Sequence, residues 1–201
     1  MNRIAAAAMD SIRDQFFSDD TGGGTAAPVL AREAVEASGV AMIRASLVGE
    51  DVTSVLRAAS DNGGYVTYAS RINQTLTLRG SLITASRGLG HDLLSVEPDA
   101  RDPLVVATPL EEWPESIGRV YRFPDFSPEG RAVAVTCRYV PEQEMEISIL
   151  GDPYVGRQVR EICAGPDAAF ENLVFAEAET GFVWLSRQWL GPEGWPWGIR
   201  G

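Results

Sequence analysis

The sequence of residues 171–191, ENLVFAEAETGFVWLSRQWLG, predicts the β-hairpin around which the rest of the fold can be built. An apolar, β-prone run leads to Thr180-Gly181, where glycine can take the positive φ of a tight turn. On the return, large apolar groups occupy residues 182–185, and consecutive residues of a strand point to opposite faces. We therefore expect the hairpin to be covered on both faces, with Arg187 as its polar exception.

Composition and charge limit the domain organisation and the partners. With 45% hydrophobic residues, the 201-residue chain can bury one substantial core. We expect residues 1–25 to form a helix with a Gly-rich linker and residues 26–201 to form a single antiparallel β domain. The formal net charge of −11 argues against binding to nucleic acid or to anionic lipid, because both need a basic face. All 17 basic residues are arginines.

Apolar residues recur every four positions at the beginning of the chain, at Ile4, Ala8, Ile12 and Phe16. This spacing places them on one face of a helix, so it predicts an N-terminal amphipathic helix. The following segment, SDDTGGGT at residues 18–25, has the composition of a flexible linker.

Short alternating runs separated by turn residues predict a β-meander through most of the chain. The predicted strands cover residues 40–48, 52–60, 65–70, 74–79, 81–86, 120–123, 132–141, 142–149 and 154–163. Residues 30–37 fit either a helix or the approach to a strand. The proline-rich residues 93–118 predict a connection with one helical turn and with Trp113 as a lid over the core. The fold class is therefore mainly β, an antiparallel meander forming a curved sheet, a barrel-like domain or a sandwich, with an N-terminal amphipathic helix.

Few residues are available for catalysis or metal binding. The single histidine, His91, adjoins Asp92, and one histidine with two cysteines argues against a His/Cys metal centre. We therefore expect no metal, no cofactor and no catalytic triad. Paired carboxylates remain an alternative, because Glu142, Glu144 and Glu146 alternate along a predicted strand and would share one face. A solvated edge that discourages aggregation explains the same pattern more simply.

Cys137 and Cys163 lie 26 positions apart on predicted strands. In a cytoplasmic protein they would be free buried thiols, whereas in an exported protein a disulfide between them would contribute roughly 3 kcal/mol on the loop-closure model. The first residues lack the apolar core of a signal peptide, and no apolar run reaches the roughly 18 residues of a transmembrane helix. Both a cytoplasmic protein and the mature domain of an exported protein fit these observations.

Two parts of the sequence resemble the YjbF/GfcB family of lipoproteins. The first is LRGSLITASRGLGHDL at residues 78–93, followed by DPL at residues 102–104. The second comprises NLVFAEAETG at residues 172–181 and WLSRQWLG at residues 184–191. The family shows an aromatic strand, a Thr-Gly turn and a Ser-Arg-Gln strand that ends in Leu-Gly. The chain is similar to it, in the same order, over residues 26–191.

The resemblance implies an exported lipoprotein of Gram-negative bacteria, anchored at the periplasmic face of the outer membrane through a lipid that lies outside this chain. Such proteins are associated with making or exporting a capsule or exopolysaccharide and have no established catalytic residues. The resemblance also implies a mostly antiparallel β domain. The expected function is a non-catalytic accessory role, with a polysaccharide or proteins of the export machinery as partners. A polysaccharide-modifying enzyme with paired Glu/Asp carboxylates is the alternative.

Aromatic and basic side chains are the candidate binding surface for such a partner, because aromatic faces can stack on sugars. The candidate residues are Trp113, Arg187, His91, Trp195 and Trp197. For each tryptophan, packing against the core is the alternative.

Overall fold

The computed structural model describes residues 32–47, 53–90 and 92–191. Within them the fold is mainly β and antiparallel, as the sequence predicts, and the strands form two curled half-barrel sheets. The predicted N-terminal amphipathic helix and its linker lie outside the described residues. The helical segments of the described part are α1 (Arg32–Ser38) and a 3-10 turn (Leu110–Glu112). Neither segment has the length and apolar composition that crossing a bilayer requires.

The first sheet is a five-stranded meander in which each strand pairs with the next one along the chain. The DNGG sequence predicts its second turn correctly, because Gly63 and Gly64 both have positive φ, at 63° and 85°. Its strands are β1 (Met42–Ser46), β2 (Thr53–Asn62), β3 (Tyr65–Ala69), β4 (Thr75–Arg79) and β5 (Leu82–Arg87).

The second sheet is a six-stranded meander formed by the strands that follow in the chain. Every strand again pairs antiparallel with its neighbour in the sequence. Its strands are β6 (Ser95–Pro98), β7 (Ser116–Phe123), β8 (Arg131–Ile149), β9 (Asp152–Ala164), β10 (Ala169–Ala176) and β11 (Val183–Arg187).

Two strand predictions for this sheet are wrong. The sequence predicts a connection with one helical turn over residues 93–118, but these residues also contain β6, a four-residue strand that ends at Pro98 and lies at the edge of the sheet. Proline is tolerated at such an edge because the outer N–H groups need no partner strand. The two strands predicted over residues 132–149 are one strand, β8, whose register shifts between Pro141 and Glu144. The bulge absorbs the proline without ending the strand.

The hairpin of residues 171–191 is covered on both faces, as predicted. Val174 and Phe175 are consecutive in β10 and point to opposite faces, yet each is 0% exposed. Val174 belongs to the main core, whereas Phe175 belongs to a smaller cluster on the other face. The large apolar side chains on both sides of β10 therefore predict correctly that the sheet is covered on both faces at this strand.

The connection between β10 and β11 is longer than the tight turn expected from Thr180-Gly181. It closes through hydrogen bonds from the N–H of Glu177 to the carbonyl of Phe182 and from the N–H of Gly181 to the carbonyl of Glu177, both 2.9 Å. Gly181 has a φ of 71°, and a Cβ at this position would collide with the carbonyl oxygen of Thr108. Glycine is required here both by its backbone angle and by the close approach of the proline-rich connection.

The main core lies between one face of the six-stranded sheet and the segments that cross it. Leu82 of β5 and Leu93 and Leu104 of the connection are each at most 1% exposed and pack in this core. Trp189, which follows β11, stacks on Phe170 with ring centroids 4.1 Å apart. The five-stranded sheet thus joins the six-stranded sheet through a shared apolar layer, and this layer encloses the polar site described next.

Candidate functional site

Of the five candidate binding residues, the structure describes Trp113 and Arg187, and these two lie on different faces of the six-stranded sheet. Trp113 donates its indole N–H to the carbonyl of Thr108 at 2.9 Å and packs edge-on against Tyr139, with centroids 4.9 Å apart. It therefore packs as a lid over the main core. Arg187 of β11 is paired with Leu173 of β10, so the two side chains share a face of the six-stranded sheet. This is the face of the smaller cluster, away from the main core and Trp113. The remaining candidates lie outside the described residues: His91, Trp195 and Trp197.

A cluster of buried charges lies inside the main core, centred on Arg119 of β7. The side chains of Arg119, Asp102 and Glu161 are each 0% exposed. Arg119 donates from Nε to Asp102 Oδ2 at 2.6 Å and from Nη2 to Asp102 Oδ1 at 3.0 Å. It meets Glu161 through Nη1 and Oε2 at 2.9 Å and through Nη2 and Oε1 at 2.8 Å. One guanidinium therefore holds two carboxylates. It binds Asp102 through two hydrogen bonds, the geometry in which arginine binds carboxylate most strongly, and Glu161 through one hydrogen bond and one close charge contact.

Neighbouring groups fix both carboxylates in place. Asn172 donates its amide N–H to Glu161 Oε2 at 2.6 Å and accepts the backbone N–H of Trp189 at 2.7 Å. The backbone N–H of Leu104 donates to Asp102 Oδ1 at 3.0 Å. The cluster consequently connects β7, β9, β10, the proline-rich connection and the segment after β11.

The sequence carries a signal for this cluster, although the cluster is not among the predicted sites. Arg119 occupies an inward position of β7 between Ile117 and Tyr121, and Glu161 occupies an inward position of β9. Opposite charges at positions where the alternation demands apolar residues indicate a buried ion pair, because an unpaired buried charge is very costly.

Burial and charge act together on the ionisable groups of the cluster. Burial alone lowers the pKa of Arg119, but the nearby Glu161 and Asp102 outweigh it and hold that pKa well above its ordinary value. Burial is the main cause that raises the pKa of both Tyr121 and Tyr139 above its ordinary value of 10.0. At neutral pH Arg119 therefore stays charged and both phenols stay neutral.

The raised phenol pKa values predict alkaline destabilisation. Well below pH 10.0 the phenols of Tyr121 and Tyr139 are neutral in both the folded and the unfolded protein. As pH rises above 10.0, they ionise first in the unfolded chain, because their pKa values are higher in the folded protein. The free energy of unfolding therefore falls as pH rises towards the folded-state pKa values. We expect the double variant Tyr121→Phe/Tyr139→Phe to lose stability less steeply above pH 10.0. Urea unfolding at several alkaline pH values measures this slope, and an identical slope in both proteins would contradict the prediction.

Cys137 and Cys163 face each other across β8 and β9 and are joined by a disulfide. Both are at most 1% exposed, and their sulfurs lie within 4.8 Å of a carboxylate oxygen of Glu161. These three groups have metal-ligand chemistry, but the sulfurs are bonded to each other and Glu161 is bonded to Arg119. A disulfide sulfur is not a thiolate ligand, so the bonded state does not suit a metal ion.

The three glutamates of β8 do not share a face, contrary to the sequence prediction. Glu142 accepts a hydrogen bond from Gln158 at 2.5 Å and pairs with Arg160 at 3.1 Å. The bulge then reverses the alternation, and Glu144 lies opposite Arg157, which points to the other face of β9. Glu146 follows Glu144 on that face. An extra residue in one strand is the physical reason, because it shifts every later side chain by one face.

The two sequence runs that carry the family resemblance meet where the two sheets join. Gln188 donates its amide N–H to the carbonyl of Ser81 at 2.7 Å and accepts the backbone N–H of Ile83 at 3.0 Å. On the other side, Leu104 accepts the N–H of Ser81 at 2.7 Å, and a Cβ at Gly80 would lie 2.5 Å from the same carbonyl. The Gln188 side chain therefore takes the place of a partner strand along the edge of β5.

Replacing Gln188 with alanine is expected to lower the free energy of unfolding by about 2 kcal/mol, because the half-buried carbonyl of Ser81 and N–H of Ile83 lose their partner. Urea unfolding monitored by tryptophan fluorescence measures the change. The matched control is Gln143→Ala, at an exposed position in the bulge of β8, for which we expect no measurable change. Similar losses in the two variants would refute the bridging role of Gln188.

Comparison with known proteins agrees with the architecture. A family model described as "Group 4 capsule polysaccharide lipoprotein gfcB, YjbF" matches residues 9–197. No curated protein gives a significant match. Among solved structures, the crystal structure of the hypothetical lipoprotein YmcC from Escherichia coli (K12) is similar, with a TM-score of 0.59 and 17% sequence identity, over 71% of this chain and 73% of that one. At this identity the likeness concerns the fold alone. Because the family model covers nearly the whole sequence, the chain belongs to the YjbF family of group 4 capsule polysaccharide lipoproteins.

Proposed function

We propose that this protein is a non-catalytic accessory lipoprotein that acts in the production or export of a capsule or exopolysaccharide. Its proposed location is the periplasmic face of the outer membrane, held by a lipid anchor outside this chain. Its proposed partners are the polysaccharide itself or proteins of the export machinery. The family match carries the proposal, because residues 9–197 include every strand of both sheets.

The state of the carboxylates supports a non-catalytic role. Asp102 and Glu161 are completely buried and both are bound to Arg119, so neither can reach a substrate or transfer a proton to it. Glu142 is tied to Arg160, and the bulge directs Glu144 to the other face of the sheet. In glycoside hydrolases, by contrast, two carboxylates flank one bond of the substrate from a shared cleft. These contacts favour the accessory role over a polysaccharide-modifying enzyme.

Deletion and complementation test the proposal. The gene is deleted in its Gram-negative host, and polysaccharide at the cell surface and inside the cell is measured separately. We expect deletion to lower the surface fraction, and we expect the wild-type gene to restore it. Fractionation of the complemented strain should recover the lipid-modified protein with the outer membrane. An unchanged surface fraction, or unmodified protein in the cytoplasm, would overturn the proposal.

A carboxamide variant separates the accessory role from catalysis. We expect the triple variant Glu142→Gln/Glu144→Gln/Glu146→Gln to restore surface polysaccharide as well as the wild type does. The purified protein should also leave the chain length and linkages of the host polysaccharide unchanged. If the protein alters the polysaccharide and the triple variant does not, the enzyme alternative is correct.

A further inference from the structure

The five-stranded sheet has the opposite charge from the chain as a whole. The chain has a formal net charge of −11. The strands of this sheet contain one carboxylate, Asp61, and four arginines: Arg44, Arg57, Arg79 and Arg87. Asp61 is opposite Val66 at the β2–β3 turn, where it accepts the backbone N–H of Gly64. The strands of this sheet therefore carry a net positive charge in a chain that is acidic overall.

The strand register places three of these arginines on the same face. Arg57 lies beside Ala69, Ala69 beside Thr75, and Thr75 beside Arg87, so one lateral row crosses four strands. Further along the strands, Thr67 lies beside Thr77 and Tyr65 beside Arg79. We call this surface the arginine face and define it by Arg57, Tyr65, Thr67, Thr77, Arg79 and Arg87.

This face is the solvent side of the sheet. Arg57 and Arg87 are exposed, whereas Leu56 and Leu76, which point the other way, are only 2% and 6% exposed. Neighbouring strands are about 4.8 Å apart, so the backbones of Arg57 and Arg87 are about 14 Å apart across the sheet. The face thus offers a curved, partly exposed polar surface with a positive charge at each side.

The charges of the arginine face are not neutralised within the described residues. There, none of Arg57, Arg79 and Arg87 forms an ion pair with a carboxylate. Arg79 donates to the hydroxyl of Tyr65 at 3.1 Å and lies over its ring at 5.1 Å. Arg87 donates at 2.6 Å to the carbonyls of Ser86 and Leu93, which orient the guanidinium without cancelling its charge.

We propose that the arginine face binds a carboxylate-bearing stretch of polysaccharide. Guanidinium groups match carboxylates in geometry and charge, and the Thr67 and Thr77 hydroxyls, 3.0 Å apart, can exchange hydrogen bonds with sugar hydroxyls. Charges beyond about 8 Å are largely screened at physiological ionic strength, so the local positive charge outweighs the negative total. The inference rests on the proposed function, which supplies a polysaccharide as the partner, and adds that an acidic part of it is recognised by this sheet.

Binding of a defined acidic glycan tests the inference. The full chain is titrated with an alginate oligosaccharide, in which every sugar carries a carboxylate, and with a neutral maltooligosaccharide of the same length. We expect saturable binding of the alginate probe only, weakening with salt. The double variant Arg57→Gln/Arg87→Gln should bind it roughly tenfold more weakly, because two exposed charge pairs are lost. The control Arg101→Gln/Arg131→Gln removes the same total charge from other exposed positions and should bind like the wild type.

Each other outcome overturns the inference. Absence of alginate binding, equal binding of the neutral probe, or an equal loss in both double variants would show that the face does not recognise carboxylates. Binding to vesicles containing phosphatidylglycerol without binding to alginate would assign the face to an anionic membrane. Circular dichroism of both double variants checks that the fold is retained. If alginate binding fails while gene deletion still lowers surface polysaccharide, only this inference falls and the proposed function stands.

Discussion

Replacing Arg119 with methionine is expected to lower the free energy of unfolding by about 3–5 kcal/mol, because Asp102 and Glu161 would be left as buried carboxylates without a cation. Urea unfolding monitored by tryptophan fluorescence and by circular dichroism measures the loss. The effect should exceed that of an ordinary surface substitution several-fold, since the cluster connects β7, β9, β10 and the proline-rich connection.

Two further variants assign the cause of that loss. Arg122→Met removes an arginine from the same strand, but its side chain is 32% exposed and its partner Glu97 is 58% exposed, so we expect a loss of at most about 1 kcal/mol. The triple variant Arg119→Met/Asp102→Leu/Glu161→Met removes all three charges and should recover part of the stability that the single variant loses. If Arg122→Met were as destabilising as Arg119→Met, burial would not be the reason.

Removing the Cys137–Cys163 disulfide is expected to lower the free energy of unfolding by about 3.5 kcal/mol on the loop-closure model for a 26-residue separation. The variant for this test is Cys137→Ala/Cys163→Ala, because alanine adds no polar group to the core. Both cysteines are at most 1% exposed, so a reductant should reach the bond only when the protein unfolds.

Reduction provides the control for this prediction. Unfolding and refolding the wild type with a reductant should lower its stability towards that of the double-alanine variant, whereas the variant itself should not respond. Rapid reaction of two thiols in the untreated, folded protein would contradict the bonded state. Equal stability of the wild type with and without reductant would show that the cross-link contributes little.

The strands could be predicted from the sequence because their signals are local. Alternation of side chains and glycine-containing turns placed β2 to β5 within a few residues, and the apolar positions of β10 and β11 predicted burial on both faces. Local signals failed where a proline or an extra residue interrupts the alternation. Pro141 in β8 was interpreted as the end of a strand, and Pro98 concealed β6.

Which residues pair within the polar sites could not be predicted, because the partners are far apart in the chain. Arg119 is 17 positions from Asp102 and 42 from Glu161, and only the strand register brings them together. Gln188 contacts a carbonyl 107 positions away. Trp113 was correctly expected over the core, since a tryptophan between prolines needs cover wherever it lies. The arginine face was hidden by the overall charge, because a net value of −11 says nothing about how charges are distributed over sheets.

The simple order of the strands has a consequence for how the molecule is made. In the part of the chain that the structure describes, every strand pairs only with its immediate neighbours in the sequence, so each hairpin can form as soon as its second strand has emerged from a ribosome or a translocation channel. The first sheet can be complete before synthesis or translocation reaches the second. The contact of Arg119 with Glu161 and the disulfide can then form once β9 has emerged, whereas the contacts of Gln188 must wait until the chain after β11 has emerged. When the strands form from the N-terminus onwards, the Ser-Arg-Gln segment at residues 186–188 would be the last of these parts to form its contacts, and its Gln188 would then bind the first sheet to the second.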